Sequence, residues 1–102
     1  MNSKRLEYLK GLAQENPDDP FVKYAMALEY VNEGPDRAIK LLSELCEEAP
    51  DYLPAYYQLA ALLLDKGEHK TAEQIINKGV ALAEKQGELK TRDELASLIH
   101  LY

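Results

Sequence analysis

The chain has 102 residues, of which 46% are hydrophobic and 29% are charged, a balance typical of a folded domain rather than a disordered segment. Its formal net charge is −6. Proteins that bind nucleic acid present a basic surface that releases counterions from the phosphates, so we expect no nucleic-acid partner. No stretch approaches the roughly eighteen consecutive apolar residues of a membrane-spanning helix, so we expect no membrane partner either.

The sequence contains few residues that could bind a metal ion or form a disulfide. Cys46 is the only cysteine, which excludes an internal disulfide and fits a reducing compartment. Residues 1–16 contain no apolar signal core, so we expect a cytoplasmic protein. The two histidines, His69 and His100, are far apart in the sequence, and a metal site would need clustered ligands. We therefore expect no metal and no cofactor.

The first half of the chain recurs in the second half. Seven pairs of identical residues are separated by 33 positions: Leu9/Leu42, Leu12/Leu45, Pro17/Pro50, Asp18/Asp51, Tyr24/Tyr57, Ala27/Ala60 and Gly34/Gly67. Beyond the glycines the offset becomes 34, as in Ala38 and Ala72, because a loop can absorb one residue. So many matches in one register indicate a helical repeat.

Apolar residues at i, i+3, i+4 and i+7 predict helices along almost the whole chain, and no pattern typical of a β-strand is present. The predicted helices span about residues 3–15, 20–33, 35–48, 54–66, 68–86 and 89–101.

Turn residues predict where these helices begin and end. Proline suits a first helical turn and a preceding aspartate can cap it, as at Asp19-Pro20 and at Pro54 after Asp51. Glycine suits the end of a helix, where a left-handed backbone is needed, and Gly34, Gly67 and Gly87 stand at such places. The pattern from Thr91 to Glu94 predicts a capping box for the sixth helix. Four residues of that helix are predicted to cover the second repeat: Leu95, Leu98, Ile99 and Tyr102.

The spacing of large and small residues resembles that of tetratricopeptide repeat proteins. The second repeat reads Tyr56-x2-Leu59-Ala60-x2-Leu63 and then Ala72-x3-Ile76, and the first repeat gives Lys23-x2-Met26-Ala27-x2-Tyr30, Ala38-x3-Leu42 and Pro50. The resemblance covers about residues 16–86. Lys23 departs from it, because a large apolar residue is expected there, and so does Glu84, where a closing proline is expected.

The resemblance implies an all-α fold, a right-handed α-solenoid of about six helices arranged as tetratricopeptide-like hairpins. We expect a single domain over residues 1–102. Its predicted parts are an N-terminal half-repeat helix (1–16), repeat 1 (17–50), repeat 2 (51–86) and a C-terminal capping helix (87–102).

The resemblance also implies a concave groove that binds peptides. The residues expected to line it for protein binding are Tyr24, Leu28, Val31, Tyr57, Gln58, Ala61 and Leu64. An alternative is that the terminal helices cover these residues and make them part of the core. The groove positions carry no cationic clamp, so we do not expect recognition of a C-terminal carboxylate.

These observations predict a non-catalytic protein–protein interaction module, a scaffold or adaptor that binds a peptide or helix. The alternative is a structural subunit whose apolar groove serves only homo-oligomerisation. We expect a homodimer of the purified protein and a protein or peptide as the cellular partner. An enzyme is not expected, because the sequence shows no nucleophile–base pair, no glycine-rich phosphate loop and no metal-ligand spacing.

Overall fold

A computed structural model describes residues 3–101. Over these residues the chain forms six α-helices and a final 3₁₀ turn, with no strand. The elements are α1 (Ser3–Glu15), α2 (Pro20–Tyr30), α3 (Pro35–Glu48), α4 (Leu53–Lys66), α5 (His69–Gln86), α6 (Leu89–Ser97) and the 3₁₀ turn (Leu98–Leu101). The predicted all-α class and the six helices are confirmed. The main difference lies in α2, which ends at Tyr30 rather than near residue 33.

The helices form two compact units, one ending at Ala49 and the other beginning at Pro50. In the first unit α2 packs against both α1 and α3. In the second unit α5 packs against both α4 and α6. Each unit thus contains one helical hairpin of the repeat and one further helix. The division of the chain into a single domain with two repeats and two terminal helices stays a prediction.

The start of α2 follows the predicted chemistry, whereas the start of α4 does not. The backbone N–H of Phe21 donates to Oδ1 of Asp19 at 3.0 Å, so Asp19 satisfies one of the unpaired N–H groups of the first turn. The residue at the N-cap of α4 is Tyr52, whose side chain makes no capping bond to the helix. The predicted capping role of Asp51 is therefore wrong.

Two of the three glycines expected at helix ends have the left-handed backbone that ends a helix. Gly67 has φ of +88° and Gly87 has φ of +74°, and each follows the last residue of its helix, α4 or α5. Gly34 instead has φ of −158° and caps the start of α3. The prediction for Gly34 is wrong because α2 ends four residues earlier, at Tyr30.

The capping box predicted for the sixth helix is also wrong. Helix α6 begins at Leu89 after Glu88, which makes no side-chain capping bond. Thr91 therefore lies inside the first turn rather than in front of it. Leu95 and Leu98 are buried in the second unit, whereas Ile99 is 45% exposed. Tyr102 lies outside the described residues.

Small residues allow the helices within each unit to approach closely. Ala27 and Ala38 in the first unit are fully buried, as are Ala60 and Ala72 in the second. Helix α5 also approaches its neighbours closely at Gly79, which is buried. A Cβ atom placed on Gly79 would lie 2.9 Å from Cδ1 of Leu95 and 3.0 Å from Cβ of Tyr56. The absence of a side chain at Gly79 lets α4, α5 and α6 meet at one point.

Candidate functional site

Helix α2 is held on two sides by its neighbours in the first unit. Val22, Ala25, Ala27 and Tyr30 are its buried residues. Nε of Arg5 in α1 pairs with a carboxylate oxygen of Glu29 in α2. On the side of α3, Lys23 pairs with Glu48, and the guanidinium of Arg37 lies 4.6 Å from the centre of the Tyr30 ring. These contacts lie on two sides of α2, and a third side of the helix remains.

That third side is apolar and partly exposed. It carries Phe21, Tyr24, Leu28 and Val31, which are spaced at i, i+3, i+7 and i+10 and so follow one face of a helix. Phe21 is 61% exposed and Leu28 is 38% exposed, while Tyr24 and Val31 are half-buried. We call these four residues the α2 face. It contains three of the predicted groove residues and no charged side chain.

The matching residues of α4 are less accessible. Tyr57, Gln58 and Ala61 are half-buried, and Leu64 is only 5% exposed. Leu64 therefore lies among the core residues and offers almost no surface to a ligand. The α2 face belongs to the first unit and these residues to the second, so a continuous groove that includes both stays a prediction.

Phe21 stands at a groove position according to the family resemblance, but the residues expected to bind a partner did not include it. Its counterpart 33 residues later is Pro54, so the comparison of the repeats did not mark it as an aromatic position. The spacing of Phe21 to Tyr24 and Leu28 could have identified it, because residues at i, i+3 and i+7 share one side of a helix.

The chemistry of the α2 face suits the burial of apolar groups. Covering an exposed phenylalanine and leucine with another apolar surface is favourable, because it removes apolar area from water.

Within the described part of the chain there is neither a cluster of metal ligands nor a helix that could span a membrane. No group of three or more histidine, cysteine, aspartate or glutamate side chains in residues 3–101 could hold a metal ion. None of the helices described is long and apolar enough to cross a membrane.

Comparisons with known proteins agree with the repeat and the fold. The family model described as tetratricopeptide repeat matches residues 32–91. A crystal structure of a tetratricopeptide repeat domain protein from Salinibacter ruber is 33% identical in sequence. It has a TM-score of 0.74, and the match covers 78% of this chain and 91% of that one.

A solution NMR structure of a tetratricopeptide repeat domain protein from the same organism is 34% identical. The match covers 80% of this chain and 84% of that one, with a TM-score of 0.75. A search of curated proteins gave no significant match. Over the part of the chain that is covered, the fold is that of these tetratricopeptide repeat structures, and the family model covers more than half of the chain. This chain therefore belongs to the tetratricopeptide repeat family.

Proposed function

We propose that this protein is a scaffold or adaptor module that binds a peptide or helix of a partner protein through its α2 face. The observation that carries the proposal is the exposure of Phe21 (61%) and Leu28 (38%) on a helix whose other sides are packed. Tetratricopeptide repeat domains generally mediate protein–protein interactions and are generally non-catalytic. The proposed partner lies along the α2 face. Tyr57, Gln58 and Ala61 of α4, which are half-buried, stay predicted contact residues, whereas Leu64 is too buried to be one.

Apolar burial supplies most of the proposed binding energy. Full burial of a fully exposed side chain of this kind contributes roughly 1.5–3 kcal/mol, and Phe21 and Leu28, which are 61% and 38% exposed, contribute a corresponding fraction. Aromatic residues near the centre of an interface commonly dominate its energetics. Phe21 is therefore expected to contribute most, with the ring of Tyr24 adding further apolar contact area.

The proposed partner is another protein in the cytoplasm, in keeping with the single cysteine of the sequence. The competing function is self-association through the same face, which would make the protein a homodimer with no groove left for a ligand. An apolar face of this kind serves either purpose, and the two are distinguished by the size of the particle in solution.

Two double variants separate the α2 face from general surface hydrophobicity. Phe21→Ser with Leu28→Ser removes the exposed apolar groups of α2. Leu89→Ser with Ile99→Ser is the matched control, because these residues are 53% and 45% exposed and lie in α6 and the 3₁₀ turn. All four positions are exposed, so neither variant should lose more than a small part of its stability.

Peptides selected from a random library on the wild-type protein provide the probe, and isothermal titration calorimetry measures their affinity. We expect the α2 variant to bind the selected peptides at least about tenfold more weakly, which corresponds to about 1.4 kcal/mol, while the control binds as the wild type does. Light scattering on the same samples gives the mass of the particle. A wild-type dimer that becomes a monomer only in the α2 variant would replace the proposal with self-association. Equal peptide binding by both variants would refute a role for the α2 face.

A further inference from the structure

A cavity of about 300 Å³ lies in the first unit, between the loop before α2 and the end of α3. Its apolar lining comes from Pro17, Pro20 and Leu45, and its charged lining includes Asp18, Lys23 and Glu48. The volume is at the lower end of the range found for small-ligand sites, roughly 300–1,000 Å³. None of these residues belongs to the α2 face.

The second unit shows what fills the corresponding place there. Lys23 is separated by 33 residues from Tyr56, which is only 5% exposed. The hydroxyl of Tyr56 donates a hydrogen bond to the carbonyl oxygen of Pro50 at 2.8 Å. At the other end of the side chain, Cβ of Tyr56 lies against Gly79. The tyrosine thus extends from the middle of α5 to the loop before α4.

The two contacts of Tyr56 translate to two residues that line the cavity. Pro50 corresponds to Pro17 at the offset of 33, and Gly79 corresponds to Leu45 at the offset of 34. Both Pro17 and Leu45 border the cavity. The cavity therefore occupies the place in the first unit that a tyrosine ring occupies in the second.

Lys23 does not fill this place, because its ammonium group turns to the carboxylate of Glu48. The side chain of Lys23 remains 30% exposed and that of Glu48 remains 60% exposed. An ion pair this exposed contributes little to stability, so the lysine can move aside at small cost. The walls that remain are the two proline rings and Leu45, which is 2% exposed.

We propose that this cavity is a binding site for an aromatic ring supplied by another molecule. A phenol hydroxyl would donate to the carbonyl oxygen of Pro17, as Tyr56 donates to that of Pro50. The lining carries three carboxylates, of Asp18, Asp19 and Glu48, against the one ammonium group of Lys23. This charge favours a ring that also carries a positive group over one that carries a negative group.

The test uses tyramine as the cationic phenol and 4-hydroxyphenylacetate as its anionic counterpart. Amide chemical shifts of the isotope-labelled protein report binding and its location. We expect saturable shifts at residues 17–23 and 45–49, with a dissociation constant for tyramine on the order of 1–10 mM, as suits so small a ligand. The anionic phenol should bind more weakly than tyramine, by a factor of about five at most.

Three variants connect these shifts to the cavity. Lys23→Tyr supplies the ring from within the chain and should weaken tyramine binding at least about tenfold. Lys40→Tyr is the matched control, because Lys40 is exposed on α3 and does not line the cavity; it should bind tyramine as the wild type does. Asp18→Asn should reduce the preference for tyramine over the anionic phenol, and it decides the question should Lys23→Tyr fail to fold.

A blocked tripeptide, acetyl-Lys-Tyr-Lys-amide, distinguishes the source of the ring. Binding of this peptide with shifts at the same residues supports the tyrosine side chain of a partner protein, whereas binding of tyramine alone supports a small aromatic amine. The proposal is overturned if neither probe gives saturable shifts at the cavity, or if a folded Lys23→Tyr variant binds tyramine as tightly as the wild type. The double variant Phe21→Ser with Leu28→Ser, which removes the exposed apolar groups of the α2 face, should bind tyramine as the wild type does. The proposal for the cavity can therefore fail without the proposal for the α2 face, and the reverse.

Discussion

Gly79 offers the most direct test of the packing in the second unit. Replacing it with alanine adds one Cβ atom at a point where Cδ1 of Leu95 would be 2.9 Å away and Cβ of Tyr56 would be 3.0 Å away. The Tyr56 atom adjoins the backbone and cannot rotate aside. Leu95 is fully buried, so its methyl group can turn away only by displacing neighbouring core atoms.

Two opposing effects set the size of the change. Overpacking of a core costs about 1–3 kcal/mol, while alanine is favoured over glycine inside a helix by roughly 0.8–1 kcal/mol. The free energy of unfolding of Gly79→Ala should therefore fall by up to about 2 kcal/mol, with no net gain in the mildest case. Gly11→Ala is the matched control, because Gly11 lies in α1 and a Cβ there would meet nothing within 4 Å.

Urea denaturation of the two variants, followed by circular dichroism, measures the difference. We expect Gly11→Ala to be stabilised by up to about 1 kcal/mol and Gly79→Ala to be less stable than it by about 1–3 kcal/mol. Hydrogen exchange should also become faster in α4 and α6, because the added Cβ meets Tyr56 of α4 and Leu95 of α6. Equal stabilisation of both variants would show that Gly79 has room for a methyl group. It would contradict the close approach of the three helices at this residue.

Two smaller perturbations test single hydrogen bonds. Asp19→Ala removes the side chain that accepts from the N–H of Phe21 and should lower the free energy of unfolding by about 0.5–2 kcal/mol. Asp18→Ala, which leaves that bond intact, should change it far less; similar losses from both would contradict capping by Asp19. Tyr56→Phe removes the hydroxyl that donates to Pro50 and should cost about 0.5–1.5 kcal/mol. An unchanged melting temperature for Tyr56→Phe would indicate that water replaces this bond without loss.

The sequence predicted the helices well because their signals are local. Periodic apolar residues and the prolines at Pro20 and Pro35 depend only on neighbouring residues, and these helix starts agree with the structure. The capping box at Thr91 failed for a different reason. The predicted start of this helix at residue 89 agrees with the structure, and it places Thr91 inside the first turn, where Thr91 cannot be the N-cap residue that a capping box requires.

The accessibility of the candidate site was harder to predict than the helices. Leu28 and Leu64 were predicted to share one role, yet Leu28 is 38% exposed and Leu64 only 5%. Periodicity identifies which residues share a face of a helix, but burial depends on what packs against that face. The cavity beside Lys23 could be suspected from the departure of this residue from the family pattern. Its volume and lining required the coordinates.

The loop before α4 is fastened by side chains of the helices that follow it. Tyr56 binds the carbonyl oxygen of Pro50, and Nε2 of Gln86, at the end of α5, donates to that of Asp51 at 2.8 Å. Pro50 and Asp51 therefore belong to the second repeat by their contacts, although they precede its first helix. A fragment or a transplanted repeat that starts at Pro50 would carry both attachments with it, whereas one cut at Leu53 would leave Tyr56 and Gln86 without the acceptors they use here.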